Sequence, residues 1–189
     1  MKIVALMGSP RKNSNSTTLD NAFLEQAAQL GAQTQAFALN QLNYKGCQGC
    51  YACKGKSETC AVKDDLAPVL AALAQADLWV VASPIYFGQI SGQLKSCLDR
   101  WFSFLVPDYM TNPRPCRLAP GKKSVWCLSQ AGPENNFADV YPLYIGFLRW
   151  YGFTDHHLLR ATATGQAGAC DVSAERLEAA RGLARQLLG

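Results

Sequence analysis

Short apolar runs alternate along the whole chain with segments in which apolar residues recur at helical spacing. The runs at residues 3–7 and 78–82 are continuous, as in strands that are buried on both faces. Further strands are predicted near residues 34–39, 123–128 and 155–159, and each of the five strands is followed by a predicted helix. Five strands alternating with five helices favour an α/β fold, in which one parallel sheet is covered by helices on both faces.

Composition fits one soluble domain spanning residues 1–189. Apolar residues make up 49% of the chain and charged residues 17%, so a packed core is expected. The net charge of +4 is small and suits an anionic small molecule better than a nucleic-acid surface. We find no targeting signal and no apolar run of about 20 residues, so we expect a cytoplasmic protein with no membrane partner.

The loop after the first strand, residues 8–18, is rich in hydroxyl and amide side chains and leads directly into a helix. Helix N-termini attract anions, so this first loop is predicted to bind a phosphate. Neither a Walker A loop nor a Gly-x-Gly-x-x-Gly fingerprint occurs here. A helix cap with a solvated polar loop is the plainer alternative. The candidate phosphate-binding residues are Ser9, Arg11, Ser14, Asn15, Ser16 and Thr17.

Two separated motifs carry a family resemblance. The sequence Gly8-Ser9-Pro10-Arg11 followed by Ser14-Asn15-Ser16, and the stretch 83–95 continuing to Asp99-Arg100, resemble the flavodoxin-like NAD(P)H-dependent FMN reductases. The resemblance implies a three-layer αβα sandwich with strand order 2-1-3-4-5 and non-covalently bound FMN. It also implies that two further loops border the flavin ring, through Pro84, Ile85, Tyr86, Phe87, Gly88 and Gln89, and through Ser129, Gln130, Ala131 and Gly132. Without the first motif, Tyr86 and Phe87 could be core aromatics and Asp99-Arg100 a surface pair.

Four of the eight cysteines lie in the cysteine loop, residues 40–63, at Cys47, Cys50, Cys53 and Cys60. Four thiolates suit a [4Fe-4S] cluster or a tetrahedral zinc, and free or disulfide-forming thiols are a third possibility. Zinc sites of this type usually have two separated Cys-x2-Cys pairs, whereas here three cysteines follow in series with a fourth close behind. This compact pattern resembles the iron–sulfur flavoproteins, a branch of the same group, and the resemblance implies electron exchange between FMN and a cluster.

Together these features predict an oxidoreductase that transfers a hydride from NAD(P)H to FMN and delivers electrons to a small-molecule or protein acceptor. Hydride transfer needs no general acid or base, so no catalytic side chain is predicted. The alternatives are a flavodoxin-type electron carrier, a quinone or nitro-compound reductase, and a non-enzymatic zinc-loop binding module. Many aromatic residues fall in the segments 101–109 and 141–151, which indicates a homodimer or homotetramer.

Overall fold

The computed structural model describes residues 1–165 and 170–189. The strands are β1 (Lys2–Met7), β2 (Gln33–Ala38), β3 (Leu78–Tyr86), β4 (Gln89–Ile90), β5 (Lys123–Ser129) and β6 (Asp155–Ala161). The α-helices are α1 (Asn15–Gln29), α2 (Leu66–Gln75), α3 (Gly92–Asp99), α4 (Val140–Trp150) and α5 (Ala174–Leu188). Short 3-10 turns cover Leu39–Gln41, Ala52–Lys54 and Arg100–Phe104.

The sheet runs in the order β2-β1-β3-β5-β6, and all of these neighbours are parallel. Apart from the two-residue β4, this is the predicted order 2-1-3-4-5, which is confirmed. β4 was not predicted. It pairs antiparallel with the end of β3, so β3 extends past the predicted run at residues 78–82 and turns back on itself at Tyr86.

Alternate residues of the central strands feed two separate cores, because successive side chains of a strand point to opposite faces. On one face, Ile3 and Ala5 pack with buried residues of α1 and α5. On the other, Val4 and Leu6 pack with α2, α3 and α4 around Trp79. The predicted three-layer arrangement is therefore confirmed.

Two helix boundaries differ from the predictions. The helix beginning after Ser91 ends at Asp99, and the chain then tightens into the 3-10 turn Arg100–Phe104 instead of continuing to residue 105. Asp64 was expected to cap α2, but the cap position is Asp65, and Asp64 accepts the N–H of Leu66 at 3.2 Å. Across the described ranges, no helix combines the length and the apolar character needed to cross a membrane.

Candidate functional site

The carboxyl ends of β1, β3 and β5 lie side by side at one edge of the sheet. The strand order reverses between β1 and β3, because the chain continues from β1 to β2 on one side and from β3 to β5 on the other. Ligands of open parallel sheets bind at this kind of reversal. The three loops that leave these strands are the ones predicted to bind FMN.

The first loop ends in a tightly bonded helix N-terminus. Ser14 is the N-cap of α1: its Oγ accepts the N–H of Thr17 at 3.2 Å and bonds the Thr17 hydroxyl at 2.8 Å. Ser14, Asn15 and Ser16 are almost completely buried. The backbone N–H groups and the positive end of the dipole of α1 are therefore held in a fixed geometry that suits an anion.

Arg11 provides the strongest sign of a ligand in the first loop. Its Nε–H is buried and has no hydrogen-bond partner among the described residues. A cavity of about 370 Å³ lies beside it, lined by Ser9, Arg11, Lys12 and Thr17 of the loop and by Asn40 at the start of the cysteine loop. Buried polar groups normally have partners, so this donor is suited to an anion that enters from the cavity.

Gly8 joins the first loop to the second. Its N–H donates to the carbonyl of Ala82 at 2.8 Å, and its carbonyl accepts the Ser91 hydroxyl at 2.6 Å. A Cβ at position 8 would lie only 2.8 Å from the Cβ of Leu94, so a larger residue cannot fit without moving α3. Ser91 is also the N-cap of α3, which fixes that helix against the end of β1.

The second loop is a two-residue hairpin between β3 and β4. Phe87 and Gly88 occupy its centre with φ values of 49° and 75°, as a type I′ turn requires. Pro84 and Ile85 are buried, whereas Tyr86 and Phe87 are exposed, so the reading of these two aromatics as core residues is wrong. A fully exposed Phe87 in the left-handed region is a strained, apolar surface of the kind found at ligand sites.

The predicted contact residues of the third loop differ in how far they are buried. Ser129 and Gln130 are buried, while Ala131 is exposed and Gly132 is half-buried. The amide nitrogen of Gln130 donates to the carbonyls of Pro133 and Asn136, and its oxygen accepts from Arg160. Gln130 therefore shapes the loop with its side chain.

The four loop cysteines all line one narrow cavity of about 20 Å³, together with Arg100 and Phe102. Cys47 and Cys50 are exposed, Cys60 is half-buried and Cys53 is buried. Within residues 1–165 and 170–189, no three Cys, His, Asp or Glu side chains are already close enough to hold one metal ion. The fold thus gathers the four thiols around one space large enough for about one water, and a metal centre there would require them to move.

One cation, Arg100, lines this cavity, and two more, Lys54 and Arg117, lie near Cys53. Arg100 donates Nε–H to the sulfur of Cys60 at 2.9 Å, and Arg117 donates to the carbonyl of Cys53 at 3.3 Å. The Nζ of Lys54 lies 3.9 Å from the centre of the Phe102 ring and donates to the Phe102 carbonyl. Burial lowers the pKa of Lys54, although the neighbouring Cys53 thiol opposes this effect.

Residues 1–118 match the family model described as NADPH-dependent FMN reductase. The chain belongs to this family. The predicted family is confirmed, and the family consists of oxidoreductases. An iron-sulfur flavoprotein of Methanocaldococcus jannaschii is 36% identical over 100 residues, which cover 53% of this chain and 51% of that relative. The iron-sulfur flavoproteins among the curated relatives support the predicted branch, and the chain spans about half the length of the curated relatives it matches.

Solved structures confirm the fold over the whole chain. A NAD(P)H:quinone oxidoreductase from Methanothermobacter marburgensis superimposes with a TM-score of 0.77 at 18% identity, covering 99% of this chain and 96% of that one. An FMN-dependent NADH-azoreductase from Bacillus anthracis, solved in complex with FMN, gives a TM-score of 0.75 at 15% identity, covering 100% of both chains. At these identities the likeness establishes the flavodoxin-like FMN reductase fold.

Several residues near the candidate site of this FMN reductase family member were not predicted from the sequence. Arg100 was read either as part of the second motif or as half of a surface pair, but only 1% of it is exposed. A Cβ on Gly88 would lie 3.5 Å from the ring of Phe137. The hydroxyl of Tyr144 donates to the side-chain oxygen of Gln89 at 2.7 Å. These contacts join positions far apart in the chain, and no local spacing indicates them.

Proposed function

We propose that this protein is an FMN-dependent oxidoreductase that takes a hydride from NADH or NADPH and passes electrons on through an iron–sulfur centre held by Cys47, Cys50, Cys53 and Cys60. The observation that carries the proposal is the placement of the first loop and the cysteine cavity at the two ends of one short helix. Ser91 at the start of α3 bonds the first loop, and Arg100, immediately after its end, bonds Cys60. Eight residues of helix span about 12 Å.

The residues of the first loop fit the phosphate of FMN. The buried, unpaired Nε–H of Arg11 and the N-terminus of α1 supply donors and positive charge, and no metal is needed. Gly8 lets this loop lie directly against the loop that follows β3. Tyr86 and Phe87 then offer exposed aromatic surface for the flavin ring.

When bound, FMN supplies the redox chemistry, since it accepts two electrons as a hydride and can release them singly. The protein positions the reactants. The backbone of the second loop lies open beside the exposed Tyr86, and the third loop is held rigid by Gln130 and Arg160. No described side chain is required to move a proton in the hydride step.

The donor set of the cysteine cavity fits a metal–thiolate centre. Four thiolates around a centre of charge 2+ carry a net charge of about −2. Arg100 is neutralised by Asp64, but Lys54 and Arg117 form no ion pair within the described part of the chain. The positive charges of Lys54 and Arg117, which are half-buried and have no carboxylate partner, would therefore balance the negative charge of such a centre. The same charge argument admits zinc, and the serial cysteine spacing together with the iron-sulfur flavoprotein relatives favours iron and sulfide.

We also propose a homodimer or homotetramer in the cytoplasm, with no nucleic-acid or membrane partner. The outer face of α4 supports self-association, because Leu143, Phe147 and Trp150 recur on it at helical spacing and are each about half exposed. Light scattering tests this proposal: a 20.6 kDa particle at micromolar concentration contradicts it.

Anaerobic reduction with NADH and with NADPH tests the main proposal. The yellow protein should bleach within seconds with at least one of the two nucleotides, and added electron acceptor should restore the colour. A yellow protein that neither nucleotide reduces is an electron carrier. A colourless protein that gains no yellow absorbance on mixing with FMN would leave the zinc-loop binding module as the remaining function.

A further inference from the structure

Arg100 is buried more completely than any other charged residue of the described chain except Asp20, with 1% of its surface exposed. Its guanidinium donates Nε–H to the Cys60 sulfur at 2.9 Å and binds both carboxylate oxygens of Asp64, at 2.9 and 3.3 Å. The remaining donors go to the carbonyls of Lys45 at 2.8 Å and Val62 at 3.0 Å. One side chain thus makes five hydrogen bonds to the cysteine loop and the residue that follows it.

These contacts lie at the neck of the cysteine loop, where Lys45 on the way in meets Val62 and Asp64 on the way out. Asp64 also accepts the N–H of Lys45 at 3.1 Å, so the neck is closed by the Arg100–Asp64 pair from both sides. The loop carries its four cysteines between these points. Just outside the neck, Asn43 donates its N–H to the Asp65 carboxylate at 2.7 Å, so the Arg100–Asp64 pair forms the inner of two ties between the arms of the loop, and the one that lies beside the cysteines.

The ion pair is stable in this setting. Burial of Asp64 opposes its ionisation, but the hydrogen bonds from Arg100 and from the N–H groups of Lys45 and Leu66, together with the guanidinium charge, outweigh that effect and lower the pKa of the carboxyl group. Burial likewise disfavours the charged guanidinium, but its interactions with Asp64 and Cys60 together outweigh this effect and raise the pKa of Arg100. A planar guanidinium can donate hydrogen bonds to a carboxylate from one edge and to a sulfur from another, whereas the single nitrogen of an ammonium group cannot reach both partners.

We infer that Arg100 is the positioning residue of the four-cysteine centre: it closes the neck of the loop and holds the Cys60 sulfur with an N–H donor. The inference rests on the proposed metal–thiolate centre. Arg100 acts through Cys60 and the loop backbone, and its N–H also stabilises negative charge on the sulfur. Residues that orient metal ligands in this way typically change metal affinity by about 10–100-fold when they are replaced.

The test compares Arg100→Gln, Arg100→Lys and wild type, with Lys95→Gln as the matched control. Lys95 lies on α3, one turn before Arg100, and forms only an exposed ion pair with Asp99. Each protein is purified anaerobically and assayed for iron, acid-labile sulfide, zinc and FMN, and for the rate of metal loss to a chelator. We expect about 10–100-fold faster metal loss from Arg100→Gln, a smaller increase for Arg100→Lys, and unchanged FMN content in all four proteins.

Amide hydrogen exchange of the metal-free proteins separates this role from the proposed centre. We expect the amide of Lys45 to lose protection in Arg100→Gln while the amides of β1 and β3 keep theirs. Equal metal retention and equal Lys45 protection in wild type and Arg100→Gln overturns the inference. A wild type that binds neither iron nor zinc overturns the proposed centre, and the exchange data then still decide whether Arg100 closes the neck.

Discussion

The first loop and the cysteine loop both surround space suited to negative charge, but they are built in opposite ways. The first loop is short and local: Ser14 and Thr17 bond each other within one helical turn, and Asn15 and Ser16 are buried beside them. The cysteine loop is long and is held from outside by cations of a different segment, while Cys47 and Cys50 stay exposed. Under the proposed function, the first site is preformed for FMN phosphate, whereas the second site would need its metal centre to complete the arrangement.

The largest effect should follow from removing a thiol from the externally held site. Cys60→Ser keeps an acceptor for Arg100 but removes one of four metal ligands, so we expect loss of nearly all iron and sulfide with FMN retained. The control is Cys170→Ser, an exposed cysteine outside the cavity. Metal and sulfide analysis of both variants decides the matter, and full iron content in Cys60→Ser contradicts the assignment of this ligand.

The next effect concerns a buried carboxylate behind the first loop. Asp20 of α1 has no exposed surface and neither of its oxygens has a partner among the described groups, and burial raises its pKa to about 8. The unfolded chain releases this proton near 3.8, so the free energy of unfolding should fall as pH rises from about 4 to about 8, by on the order of 1 kcal/mol per pH unit.

Asp20→Asn should abolish that slope and stabilise the protein most near pH 8. Urea unfolding of both proteins at several pH values between about 4 and 8 measures the pH dependence of the free energy of unfolding. A slope that persists in Asp20→Asn shows that another group is responsible.

A smaller effect tests whether the first loop binds the phosphate of FMN or serves only as a helix cap. Arg11→Ala should weaken FMN binding by about 1.5–3 kcal/mol, because a charged hydrogen bond to the phosphate is lost. Lys12→Ala, its exposed neighbour, should change the affinity less. Flavin fluorescence titration measures both, and equal affinities for wild type and Arg11→Ala mean that Arg11 does not contact the phosphate.

The smallest effect concerns the second loop. Tyr144→Phe removes the hydroxyl that donates to Gln89 in the hairpin, which should lower the free energy of unfolding by about 1 kcal/mol. FMN affinity should fall slightly, since the hairpin is then held less firmly. Thermal unfolding with and without FMN checks this, and an unchanged midpoint shows that the hairpin is fixed by its own turn geometry alone.

The contrast between the two loops also explains how much the sequence predicted. The central strands and the first loop follow from local signals, namely short apolar runs and a serine cap before a helix, whereas the strand order was implied by the family resemblance. The cysteine spacing likewise indicated a common centre. The burial of Arg100 depends on partners 36 to 55 residues away, and Gln130 is held partly by Arg160, 30 residues away; such contacts leave no periodic pattern.

Composition of the freshly isolated protein tests the central claim most directly. We expect about one FMN together with about four iron and four sulfide per chain after anaerobic purification, with two flavin absorption bands and a broad shoulder between them. Stoichiometric zinc without sulfide, in a protein that does not bind FMN, would contradict the account.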